Sequence, residues 1–103
     1  TQRVEMARKL AERLVREADR DPERVKLLFT LLASREASKT ESGVCDSLLK
    51  NARQRYADAK NEAISLLAIG EVERDDTLDH VEVAAWTQVT MTVLASDVSI
   101  LMY

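Results

Sequence analysis

Two glycines and a single proline, Pro22, punctuate 103 residues, which leaves the chain almost no means of turning sharply. A strand-rich fold needs a turn every few residues, and turns are built from clusters of Gly, Pro, Asn and Asp. Those clusters are missing, while Ala, Leu, Glu, Arg and Lys, the strong helix formers, are abundant. An apolar fraction of 46% supplies a core, so disorder is not expected. The length suits one domain or part of one. The fold class expected is all-α.

Periodicity divides the chain into a four-helix, bundle-like segment of a larger helical domain. The first helix covers about residues 3–18, with Val4, Ala7, Ala11, Leu14 and Ala18 spaced in threes and fours and Leu10 and Val15 widening the stripe. Its charged residues, among them Arg8, Lys9, Glu12, Arg13 and Arg16, interleave in sign, the pattern of a solvated face. Asp21 and Pro22 divide it from the second helix, about 22–33, with Asp21 as the expected cap and Pro22 in a first turn that needs no amide hydrogen. Val25, Leu28, Phe29 and Leu32 form one face of this helix.

A polar break over 34–38 follows, and Ser38 with Glu41 has the spacing of a capping box. The third and longest helix is expected over 39–69, with Cys45, Leu49, Ala52, Tyr56, Ala59, Ala63 and Leu66 as its apolar rhythm and Gly70 as a left-handed C-terminal cap. Asp58 has the chemistry to cap a new short helix, so a kink there is an open alternative. The fourth helix, about 80–94, follows a cap signal at Asp79 and Glu82, and carries no charge from Val83 to Ser96. A helix apolar nearly all round is a buried helix. Three short companions are expected to cover it incompletely, which places part of its cover outside this segment. The apolar close, Ser99 to Tyr103, points the same way. The segment is therefore expected to be the C-terminal part of a larger protein.

Charge and spacing exclude several chemistries. A net charge of −3 argues against nucleic acid, which demands a cationic surface. The uncharged run from Val83 to Ser96 is shorter than the ~20 residues needed to span a bilayer. The acidic group Glu71, Glu73, Asp75, Asp76 and Asp79 lacks the alternation and central glycine of a calcium loop and reads as a solvated loop with a helix cap. His80 is the only histidine, which leaves a lone general base as its one catalytic use and a first-turn surface residue as its simpler one. Cys45, also alone, falls on the apolar side of its helix and reads as an inert thiol. Trp86 reads as a core anchor. No catalytic, cofactor-binding or metal-ligating residue is assigned, and whether the whole is an enzyme is left open.

The run Ser65-Leu66-Leu67-Ala68-Ile69-Gly70-Glu71, an acidic gap, and Leu78-Asp79-His80-Val81-Glu82-Val83-Ala84-Ala85-Trp86-Thr87 together resemble the C-terminal end of a domain-of-unknown-function family, numbered fifteen-fifty-three, of large exported planctomycete proteins. Val4 through Leu14 and Arg24 through Arg35 are similar to two earlier helices of that family. Glu36 and Ala37 stand where the family usually has two prolines, His80 where it often has one, and Leu94-Ala95-Ser96-Asp97 replaces its leucine-asparagine-leucine-aspartate block, which marks a divergent member.

The resemblance implies a periplasmic or cell-surface protein with a cytochrome-c-like domain, and so haem c, elsewhere in the parent chain; it carries no catalytic residue over. The functional expectation is a non-catalytic module packed against the remainder of the parent chain. Two alternatives stand beside it: one wall of an upstream enzyme or redox site, with His80, Asp79 and Glu82 facing a shared pocket, and a free adaptor making helix-mediated protein contacts.

Overall fold

A computed structural model describes residues 2–68 and 77–96, with side chains at 4–68 and 77–95. These residues form five helices and no strand: α1 (Gln2–Glu17), α2 (Asp21–Ala33), α3 (Lys39–Asp58), α4 (Lys60–Leu67) and α5 (His80–Ser96). The expected cap at Gly70, the acidic residues Glu71, Glu73, Asp75 and Asp76 and the apolar close from Ser99 lie outside the described residues.

The architecture is organised around α5. Val83, Ala84, Ala85, Trp86 and Thr87 are consecutive and all buried. Successive residues of an α-helix stand 100° apart, so these five encircle the axis. Val89, Thr90, Val93 and Leu94 extend the burial along the helix, while Gln88 and Thr92 stay half-buried and Ala95 is exposed. The cover comes from α1, α3 and α4, with α1 the most extensive neighbour. The segment thus covers most of α5 by itself and leaves the half-buried Gln88, Met91 and Thr92 as its least covered stripe. The reason lies in side-chain size: Ala84 and Ala85 on α5 and Ala7 and Ala11 on α1 are fully buried, and small residues let helix axes approach until a few short helices suffice.

The expected third helix is two helices. A straight helix over 39–69 would be about 46 Å long at 1.5 Å per residue, whereas the molecule measures 33 Å along its longest axis. The break falls at Ala59, with φ −135° and ψ 70°. Asp58 does not cap the new helix, since its carboxylate accepts from Gln54 Nε2 at 2.9 Å and no side chain caps α4. Beyond the break, Ala63 and Leu67 enter the core and Leu66 stays half-buried, one position later than the rhythm predicted.

Local signals account for most other boundaries. Ser38 Oγ accepts from the Glu41 amide at 3.1 Å and Glu41 Oε1 accepts from the Ser38 amide at 2.9 Å, completing the capping box. Asp79 Oδ1 accepts from the amides of Val81 and Glu82 at 2.8 and 3.2 Å, capping α5. Pro22 sits in the first turn of α2, but Arg20 holds the cap position there without a side-chain bond. Asp21 belongs to the helix and is engaged elsewhere.

The charged face of α1 holds a second correction. Arg8 and Glu12, expected in solvent, are each only 2% exposed. Arg8 Nη1 donates to the Leu67 carbonyl at 2.7 Å, placing a cation on the last turn of α4, where the helix leaves carbonyls unpaired and the dipole favours positive charge.

Helix α2 ends at Ser34 in the left-handed region, φ 55° and ψ 32°, with its amide donating to the Thr30 carbonyl. A side chain there is strained, whereas glycine is not, though glycine also loses more entropy on folding. Ser34→Gly is therefore expected to stabilise the fold by about 0.5 kcal/mol, measured as a rise in the urea midpoint at unchanged slope. Ser34→Val, β-branched at a positive φ, is expected to lower it.

Candidate functional site

The densest set of functional groups among the described residues lies where the first turns of α2 and α5 meet the second half of α3. Asp21 opens α2 and Glu82 lies in the first turn of α5, so each carboxylate sits at a helix N-terminus, where the dipole favours negative charge. Arg53 of α3 reaches between them. Its Nη1 and Nη2 donate to the two oxygens of Asp21, both at 2.8 Å, and its Nε and Nη2 donate to Glu82 at 2.8 and 2.6 Å. One planar guanidinium thus holds two carboxylates bidentately.

Arg24, on α2, completes the group. Its Nη1 donates to Glu82 Oε1 at 3.3 Å and lies 3.8 Å from Asp21, while its Nε donates to the Ala18 carbonyl at 2.9 Å. The two cations and two anions neutralise one another. The hydrogen bonds from Arg53 hold the Asp21 carboxyl below the usual carboxylate range, against the opposing effect of burial and with help from the charges of Arg53 and Arg24. The same bonds hold Arg53 above its ordinary value. A general acid or base needs a proton affinity near the working pH, and Asp21 and Arg53 are driven away from it. The group is built to clamp helices.

The residues singled out from the sequence do not converge. Asp79 is engaged with its own helix amides, and Glu82 turns to Arg53 and Arg24. His80 is half-buried and lines a separate cleft of about 290 Å³ with Lys60 and Ile64. Cys45, 2% exposed on α3, lines with Phe29 and Val93 a groove of about 250 Å³. Burial, with the neighbouring charges of Asp46 and Glu41, pushes its thiol up to about 11, the opposite of what a nucleophilic thiolate requires. Trp86 is fully buried, a core anchor as expected. No group of three or more His, Cys, Asp or Glu side chains among the described residues is gathered as a metal ion would need, and no helix among them is long and apolar enough to cross a membrane.

Sequence reasoning missed the clamp. It took Asp21 and Glu82 as parts of cap signals and gave Arg53 no role. Arg53 meets them across 32 and 29 residues of chain, and no local spacing encodes that meeting.

No protein-family model, no curated protein and no solved structure matches the chain.

Two measurements check the electrostatics. The clamp's side chains are between about a tenth and a third exposed, so its contribution falls between a solvated pair and a buried one. Arg53→Met is expected to cost about 1–2 kcal/mol, read from chemical denaturation. For acid stability the carboxylates decide the sign. Hydrogen bonds from Arg35, then from the Ser38 amide, lower the Glu41 carboxyl from 4.5 to about 2, and Asp21 is lowered from 3.8. The folded state therefore binds fewer protons than the unfolded state below about pH 5, and stability falls as acid is added. The urea midpoint is expected to hold from neutral pH to about 4.5, then drop toward pH 2, with a shallower drop in Glu41→Gln.

Proposed function

We propose that this chain is a non-catalytic helical module that serves a larger exported protein by packing against the remainder of that protein. The observation that carries the reading is the clamp of Asp21, Arg24, Arg53 and Glu82. The richest collection of reactive side-chain types among the described residues is used to join α2, α3 and α5. The resemblance of the Ser65–Glu71 and Leu78–Thr87 blocks to the planctomycete family supports a periplasmic or cell-surface parent with haem c in another domain.

The module carries its own core, since α5 is surrounded by α1, α3 and α4. Its attachment to the parent is then a surface matter rather than the completion of a half-built interior. The part of the surface that suits such a contact is the groove lined by α2, α3 and α5, where Val44, 52% exposed, joins Phe29, Leu48 and Val93. The same self-sufficiency favours a second reading, a free adaptor that binds partner helices. A wall for an upstream active site is less well supported, because Asp79 and Glu82 are committed to the cap and the clamp.

Thermal unfolding of residues 1–103, alone and with the preceding part of the parent chain added in trans, separates the readings. The proposal expects a cooperative monomeric transition that moves upward with added parent. Ligand at ~100 times its dissociation constant stabilises by about 2.7 kcal/mol. A transition that the parent leaves unmoved at every concentration, in a chain that light scattering shows to be a monomer, overturns the proposal in favour of the adaptor.

A further inference from the structure

The clamp has a counterpart at the other end of α2. Arg35 donates to both oxygens of Glu41, at 2.7 and 2.9 Å, and its guanidinium lies 5.6 Å from the centre of the Phe29 ring. Lys26 pairs with Glu36 at 3.5 Å beside it. Between these two charged ends α2 buries only Val25, Leu28 and Phe29. Leu27, Leu31, Leu32 and Ala33 remain half-buried, and the helix lies against α1 and α3. By contrast, α1, α3 and α4 are tied to α5, the most deeply buried helix among the described residues. Non-helical backbone flanks α2 on both sides, at 18–20 and at 34–38, the second stretch beginning with the left-handed Ser34.

We propose that α2 is a lid that opens as a unit from the body formed by α1, α3, α4 and α5, with the ion pairs at its two ends setting how often it opens. The apolar seal is Val25, Leu28 and Phe29, fully buried, with Leu27, Leu32 and Ala33 packed half-buried beside them. It is smaller than the core around α5, so opening α2 breaks less than unfolding the whole. Charge fastens both ends, to Arg53 and Glu82 at one and to Glu41 at the other. Those pairs are partly solvated, and salt screens them while leaving the core unaffected. Opening uncovers the floor under Phe29, where Cys45 and Leu49 of α3 belong to the same apolar cluster. The device needs no ligand, and its opened state is a new apolar surface that the closed protein does not show.

Cys45 is the chain's only cysteine and a native reporter of that opening. The experiment follows its labelling by an aromatic disulfide reagent in native buffer, while hydrogen exchange monitors the amides of α5. Variants are Arg35→Met, whose ion pair is on the surface, and the double variant with Arg53→Met. Labelling is expected to accelerate several-fold in Arg35→Met and in 1 M sodium chloride, and roughly tenfold in the double variant, as expected for losing partly exposed pairs. Protection of α5 should fall by no more than the same factor, since unfolding of the whole starts from the same closed state. Helix α5 should still open far less often than Cys45 is exposed. Should the double variant fail to fold, Arg35→Met and the salt series carry the test. The lid is overturned if Cys45 labels only as fast as α5 loses protection, or if neither salt nor Arg35→Met changes its rate.

Discussion

Enclosing a helix on nearly every side imposes a geometric demand on its neighbours, and in this molecule α5 makes that demand. A half-buried helix can rotate a little and still satisfy its packing, because one face is free. With Val83 through Thr87 all buried and only the stripe of Gln88, Met91 and Thr92 half-buried, α5 has little free face and its neighbours must fit it. Alanines at the contact with α1 let that helix come close. Breaking the third helical stretch at Ala59 brings α4 against α5, where an unbroken rod would overrun the molecule. Burial of Arg8 follows from the same closeness, and it is tolerable because the Leu67 carbonyl at the end of α4 receives the charge.

The sequence displayed the parts of this arrangement that depend on neighbours along the chain. The capping box of Ser38 and Glu41, the cap at Asp79, Pro22 in a first turn and the stripe of Ala7, Ala11 and Leu14 are all local facts, and all stand in the structure. What escaped was whatever depends on distant partners. Arg8 and Glu12 look like any charged pair on a helix surface until the fold buries them and brings the Leu67 carbonyl of α4 to Arg8. Asp21 has the chemistry of a cap, and only the arrival of Arg53 redirects it. The break at Ala59 was half legible: Asp58 marked the place, but no side chain caps the new helix.

Function was legible only as far as chemistry was. A histidine, a cysteine and scattered carboxylates can be read from composition, but their usefulness depends on what surrounds them. Cys45 lies among apolar groups beside two acids, and Asp79 and Glu82 are drawn into a cap and a clamp. Here charge serves mainly to fix how helices sit. Because opposite charges meet at several points around α2, that helix is positioned in register as well as covered.

The pairing of α1 with α5 also has a meaning in time. Helix α1, Gln2–Glu17, finds its main partner among the described residues in α5, His80–Ser96. A chain made from its N-terminus exposes the stripe of Ala7, Ala11 and Leu14 while everything up to α5 is still being added. Folding of the described residues therefore waits on the contact between α1 and α5, an order of events more familiar from β-sheet proteins, whose partners are far apart in sequence. Until Trp86 arrives there is no centre for the other helices to gather around.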